Sequence, residues 1–293
     1  MHRLTNLAQE ARSLSIEGRA FIDGRFTECE SGAIIERTST ADGKPLPALA
    51  ACNDADIDRA VRAARRSFTG GEWAGASLKH KKKVMFRLAD LMEAHRKELA
   101  LLDTLETGRS FKNYYYDSIP KSIEALRYFT EALDKHYGLS YSADPGSTAF
   151  ITNEPLSVVG LITPWNDPLV VGMWKIAPAL LMGNSIVVKP AEQSSFSVLK
   201  VASLAREAGL PNGVFNVAPG LGEIAGKALA LHKDVRGLFF TGSSETGKKI
   251  LIYSGQSNMK KVGLECGGKS PFIITENCRR IHEAAKVLAR NIF

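Results

Sequence analysis

Cysteine is scarce in this chain: four in 293 residues, at Cys29, Cys52, Cys266 and Cys278, with no C-x-x-C and no Cys/His spacing between them. That spacing indicates neither a disulfide framework nor a zinc site, and no metal is expected. No apolar run approaches the ~20 residues that cross a bilayer. The opening stretch MHRLTNLAQEARSLS has no apolar signal-peptide core, so the expected location is the cytoplasm, with no membrane partner. Aromatic residues are absent from the basic run Lys79-His80-Lys81-Lys82-Lys83, which therefore lacks the stacking platforms that single-stranded nucleic acid needs. Val84, Leu88, Leu91 and Leu99 continue along one side, so the run reads as a solvated helix face and the net charge of +7 does not predict a nucleic-acid partner. A hydrophobic content of 44% is enough to bury a core in one large domain or two ordinary ones.

The most informative stretch is RGLFFTGSSETGKKI, Arg236 to Ile250. Leu238-Phe239-Phe240 suits a strand covered on both faces. Gly242 and Gly247 then frame a turn in which backbone N–H groups can approach a phosphate, and a new helix offers its positive end. The first seven positions match the P-loop pattern, but Lys249 stands where a hydroxyl should bind magnesium. Glu245 would also place a negative charge inside the cradle, which disfavours a triphosphate. A dinucleotide fits better; taken alone, the stretch is equally compatible with an ordinary strand-to-helix turn.

In chain order, Ala20–Phe26 reads as two short strands about an Asp-Gly turn, and Pro45 and Pro47 break the stretch before Leu49–Cys52. Asn53 or Asp54 caps a helix over Ile57, Val61, Ala64 and Phe68. A long helix is expected from Leu78 to Glu106, ending at Gly108, and another from Ser118 to Tyr137. Leu139–Glu154 turns small, polar and β-prone, as an exposed strand pair or a surface loop. From Leu156 onward, strands at 158–163, 185–189, 214–217 and 237–241 alternate with helices at 168–181, 197–208 and 224–231. The fold class is therefore α/β, a Rossmann-like parallel sheet with helices on both faces. Ligands belong at the carboxyl ends of such strands, where Thr163-Pro-Trp-Asn166, Lys189, Gly220-Leu-Gly222 and Gly242-Ser243 all fall.

Four ordered motifs, TPWNDPL, VVKPAEQS, FTGS and LECGGKSP, resemble the aldehyde dehydrogenase superfamily from about Phe21 to Phe293. The N-terminal half, with LADLMEAHRKELALLDTLETGRS, is similar to the branch that oxidises γ-glutamyl-aminobutyraldehyde and related amino-aldehydes. The resemblance implies an NAD-dependent oxidoreductase converting a small aldehyde to an acid, acting as a homo-oligomer. It divides the chain into the N-terminal part of a cofactor domain (1–138), a β-arm for oligomerisation (139–156), the dinucleotide-binding core (157–263) and the start of a catalytic domain (264–293).

The implied cofactor contacts are Trp165, Asn166, Lys189, Glu192, Gly222, Gly226, Gly242, Ser243 and Gly247. Lys189 and Glu192 would hold ribose hydroxyls, and the carboxylate would repel a 2′-phosphate and favour NAD over NADP. Asn166 is the implied oxyanion donor and Glu265 the general base for thioester hydrolysis. Asp167 departs from the bulky residue usual in the family, and as a carboxylate beside the oxyanion hole it is expected to blunt it. Cys266 is read as a small core residue pointing away from the face of Glu265. The family's nucleophilic cysteine, in N-x-G-Q-x-C, is expected just beyond the position of Phe293, so the chain alone is expected to be an inactive fragment. The alternative is a non-catalytic dinucleotide-binding or oligomerising remnant.

Overall fold

The structure, a computed structural model, describes residues 2–292; Phe293, the last residue of the resemblance, lies outside them. Helix α1 (His2–Arg12) precedes β1 (Ala20–Ile22) and β2 (Arg25–Thr27), which close over Asp23 and Gly24 at φ of 53° and 77°. Next come β3 (Ile34–Thr38) and β4 (Pro45–Ala50), a separate antiparallel pair. The prolines expected to break this stretch lie inside β4: a two-stranded ribbon leaves one edge of each strand unpaired, where a missing N–H costs no ladder bond. Asn53 caps α2 (Asp54–Gly70), accepting the N–H groups of Ala55 and Asp56 while Asp56 accepts that of Asn53, a reciprocal capping box.

The single helix expected from Leu78 is two, α3 (Leu78–Ala94) and α4 (Arg96–Thr107). They part at His95, where ψ swings to 14° and the ring Nδ1 lies 2.7 Å from Glu98 Oε2. Lys81, expected in solvent, is buried and donates to the Ala74 carbonyl at 3.2 Å. A single turn α5 (Phe111–Asn113) and a π-helical segment, Tyr114–Ser118, lead into α6 (Ile119–Ala132), which is shorter than expected at both ends. The exposed hairpin of β5 (Leu139–Ser142) and β6 (Thr148–Ile151) follows, paired from Leu139 with Ile151 to Ser142 with Thr148.

The remaining elements alternate: β7 (Val158–Ile162), α7 (Pro168–Leu181), β8 (Ser185–Lys189), α8 (Phe196–Ala208), β9 (Phe215–Val217), a π-turn Gly222–Gly226 running into α9 (Lys227–Leu231), β10 (Gly237–Gly242), α10 (Ser244–Gln256), β11 (Lys261–Cys266) and α11 (Ile281–Ile292). The main sheet has the order β11-β10-β7-β8-β9-β1-β2, parallel from β11 through β9, with the first hairpin antiparallel on the far edge. Chain direction away from β7 reverses between β8 and β10, which makes the carboxyl ends of β7 and β10 a topological switch point. Alternation along the strands feeds two cores. Val159, Leu161, Ile186 and Val188 pack with α3, α6, α7 and α8, while Val158, Ile162, Val187 and Leu238 pack with α2, α9 and α10.

One buried carboxylate joins these layers. Glu106, at the end of α4, accepts the N–H groups of Ser195 (3.0 Å) and Phe196 (2.8 Å), the first donors of α8. Burial outweighs these bonds and pushes its carboxyl up to about 7 from the ordinary 4.5. The folded state thus binds the proton more tightly than the unfolded chain. The stability linked to Glu106 is present in full below pH 4.5 and is lost as pH rises through about 7. Glu106→Gln should remove on the order of 3 kcal/mol of pH dependence over that window. Urea midpoints for the two proteins that run parallel from pH 4.5 to 7 would overturn this.

Candidate active site

The carboxyl ends of β7, β8, β10 and β11 enclose a cleft of about 720 Å³ lined by Trp165, Asn166, Lys189, Glu192, Gly222, Gly242, Ser243, Glu265 and Cys266, among others. Two further cavities, of about 410 and 510 Å³, lie away from these strand ends and contain none of the motif residues.

Asn166 sits in the β7–α7 connection between Pro164 and Pro168, whose rings keep the chain out of helix until α7 begins. Its carbonyl accepts from the Tyr114 hydroxyl at 3.4 Å, and that hydroxyl lies 2.8 Å from Thr107 Oγ1. The side-chain amide is exposed to the cleft and has no hydrogen-bond partner among the described residues. Trp165 is 59% exposed along the same wall rather than in the core. Asp167 does not face the cleft. Its Oδ2 is held by Arg109 Nη1 at 3.1 Å and Ser118 Oγ at 3.3 Å, and burial holds its carboxyl above the ordinary range despite the Arg109 guanidinium. The charge expected beside Asn166 is thus turned onto Arg109 and the end of the π-helical segment at Ser118.

Lys189 ends the buried strand β8 and is 3% exposed, with Nζ 2.9 Å from Glu192 Oε2. Burial pulls the ammonium below its ordinary value against the attraction of Glu192. At Glu192 burial acts upward, but the Lys189 charge prevails and the carboxyl sits below its ordinary value. The two shifts pull in opposite senses, since burial works against the ammonium while the Lys189 charge favours the carboxylate; the 2.9 Å contact is the firmer sign of a paired Lys189 and Glu192.

The glycine turn is tighter than the sequence suggests. Strand β10 runs through Gly242 and α10 begins at Ser244, so Ser243 alone bridges them as N-cap, its Oγ accepting the Thr246 N–H at 3.2 Å. A Cβ on Gly242 would lie 2.4 Å from the Phe240 ring, so no side chain fits where the strand meets the cleft. Gly247 is inside α10 and Gly226 is buried under Ile162; neither lines the cleft. Glu245, expected inside the cradle, is in the first turn of α10 but exposed, paired with Lys249 at 3.3 Å and not among the residues that line the cleft.

Glu265 lies opposite Thr241 in the β10–β11 register, exposed to the cleft and without an ion pair among the described residues. Cys266 borders the same cleft and is also half-buried against the second core, its Sγ packed where α10 crosses at Gly247. Lys175, on α7, was not anticipated. It donates to Thr241 Oγ1, and burial lowers its pKa while the Glu265 carboxylate draws it back up. A lone cation in the otherwise apolar PLVVGMWKIAPALL was the available signal.

Residues 26–293 match the aldehyde dehydrogenase family. The NADP/NAD-dependent aldehyde dehydrogenase PuuC of Escherichia coli is 44% identical over 292 residues, covering 100% of this chain and 59% of its own length. The γ-glutamyl-γ-aminobutyraldehyde dehydrogenase of Burkholderia cenocepacia superposes with a TM-score of 0.96 at 44% identity, over 99% of this chain and 59% of that one. The indole-3-acetaldehyde dehydrogenase AldA of P. syringae, solved with NAD+, gives 0.96 at 43% identity, over 98% of this chain and 58% of that one. The chain thus spans about three-fifths of the length of the curated relatives it matches. With a sequence match over nearly all of its length and a superposition of this quality, the chain belongs to the aldehyde dehydrogenase family.

Proposed function

We propose that residues 1–293 form the cofactor wall, together with two catalytic groups, of an NAD-dependent aldehyde dehydrogenase that oxidises an amino-aldehyde or similar small aldehyde to its acid in the cytoplasm. The observation that carries this reading is the meeting of Asn166, Lys189, Glu192, Ser243 and Glu265 on one cleft at the switch point. In this reading residues 1–138 and 157–263 build the cofactor domain, 139–156 the arm, and 264–293 open the catalytic domain.

The donor set fits NAD. Lys189 and Glu192 are placed to take ribose hydroxyls, and the N-terminus of α10 with Ser243 to take a phosphate. At Gly222 a Cβ would meet nothing within 4 Å, which leaves open space for the adenine. When bound, NAD accepts the hydride leaving the substrate carbon. The other tasks fall to the protein. Asn166 donates its amide N–H to the oxygen that gains charge as the carbonyl is attacked. Glu265 takes the proton of the water that releases the acid. The attacking thiolate is assigned to a cysteine outside these residues, because Cys29, Cys52 and Cys278 do not line the cleft and Cys266 is packed at Gly247. The exposed hairpin, with Leu139, Tyr141, Phe150 and Ile151 in solvent, is assigned to pairing with a second subunit. A non-catalytic dinucleotide-binding protein is the competing reading, and the second experiment below separates the two.

Titration of the chain with each cofactor should show NAD+ binding at least roughly tenfold tighter than NADP+, and Glu192→Ala should narrow the gap. Equal affinities in the parent protein would refute the assignment of Glu192. Joined to the remaining two-fifths of PuuC, the chain should regain NAD-dependent aldehyde oxidation. Glu265→Gln should then keep the first-turnover burst of NADH and slow later turnovers, while Asn166→Ala should cut the burst itself by ~10²–10³. A folded, NAD-binding chimera without turnover would favour the non-catalytic reading. In that chimera Phe150→Asp should lower the mass seen by light scattering; an unchanged mass would remove the hairpin from the subunit interface.

A further inference from the structure

Away from the cleft, Cys29 and Cys52 bring their sulfurs to 3.5 Å of one another, both side chains buried. Cys29 lies in the surface turn after β2, which is closed by the Gly32 N–H donating to the Cys29 carbonyl at 3.0 Å and flanked by the exposed Glu30 and Ser31. Cys52 immediately precedes the Asn53 cap of α2. The two segments are clamped to each other. Arg59 donates to the Glu28 carbonyl at 2.9 Å and to Asp56 Oδ1 at 2.9 Å, and Asp56 Oδ1 also accepts the Glu30 N–H at 3.0 Å.

Asp56 completes a trio whose ligand atoms lie within 4.8 Å, which raises the question of a metal. Its oxygens are already committed, Oδ1 to Glu30 and Arg59 and Oδ2 to the Asn53 N–H at 3.1 Å. A cation there would have to displace a guanidinium and a helix cap, so the chemistry left to the site is that of the two thiols. Their position gives that chemistry reach. Cys52 N–H donates to the Pro219 carbonyl at 2.9 Å. The next residue, Gly220, has φ of 159°, and a Cβ on it would lie 2.8 Å from the Cys52 carbonyl oxygen. The backbone of Cys52 is therefore the floor of the loop that carries Gly222 into the cleft.

We propose that Cys29 and Cys52 are an oxidisable dithiol, a modification site at which a small-molecule disulfide closes the pair into an internal disulfide and thereby stiffens the 218–222 loop. The thiolate of Cys29, in the surface turn, attacks the small disulfide, whose S–S bond breaks to release one thiol. Cys52 then attacks the mixed disulfide at Cys29 and releases the second thiol, and the two protons leave on the two released thiols. Two protein thiols are oxidised and one external disulfide is reduced. Contact with Cys29, followed by burial, holds the Cys52 thiol protonated above its ordinary range. Because both sulfurs are buried, the first attack already waits on local opening of the turn, and the exchange runs on the minutes-to-hours scale.

The test uses the whole 293-residue chain treated with oxidised glutathione, then alkylated and digested without reduction. The expected product is a peptide pair linked between Cys29 and Cys52, reversed by dithiothreitol, with Cys266 and Cys278 unlinked. Backbone amides of 218–222 should exchange with deuterium roughly threefold more slowly in the linked form. Neither change should occur in Cys29→Ser or Cys52→Ser. Glutathione retained on either cysteine without an internal link, or a link that forms only in urea, overturns the proposal. A link that leaves exchange at 218–222 untouched overturns its second half. None of these readings requires NAD to bind.

Discussion

The cleft exists because β10 pairs with β7 in one particular parallel register, Leu238 opposite Gly160 and Phe240 opposite Ile162. Parallel strands end level with one another, so this register brings Thr163–Asn166 and Gly242–Ser243 to the same height on adjacent strands. It leaves little room for slippage. Gly160 has Leu238 Cδ1 2.6 Å from where a Cβ would stand, and a shift by one residue would exchange the two cores. The pairing of β10 with β11 extends the same order outward, so that Thr241 holds Lys175 on one side and faces Glu265 on the other.

Charge around the rim is arranged in closed pairs. Asp167 is drawn to Arg109, Glu245 to Lys249 and Lys189 to Glu192, each within 3.3 Å. The first two pairings turn carboxylates away from the cleft and leave Asn166 with an uncancelled donor. The third keeps its charges inside, where a buried ammonium needs its partner. Local ion pairing thus decides which dipoles the cleft presents.

The alternation of short apolar strands with glycine-ended helices made the doubly wound sheet legible, because β7, β8 and β9 are buried on both faces and each carries its own pattern. Asn166, Lys189, Glu192, Ser243 and Glu265 were legible as a group because strand ends and motif residues coincided. What escaped was set by partners distant in sequence. Nothing near His95 announces that the helix breaks there, since the break is settled by how α3 and α4 each pack. Lys81 looks solvated until Ala74 and Gly183 close around it. Lys175 acquires meaning only from Thr241, and the outward turn of Asp167 depends on Arg109 and Ser118, contributed by a different layer.

The sheet's two edges differ in kind. On one side it ends in β2, only Arg25–Thr27 long and backed by a hairpin; on the other it ends in β11, six residues whose outer N–H and C=O groups have no strand beside them among the described residues. An edge of that length is a template that any extended segment can join through main-chain bonds alone, whatever its side chains. The exposed charges of Lys261 and Glu265 are the only deterrents along it. Glu265 is therefore subject to two separate demands, one chemical at the cleft and one colloidal at the edge, and replacing it with a neutral residue alters both.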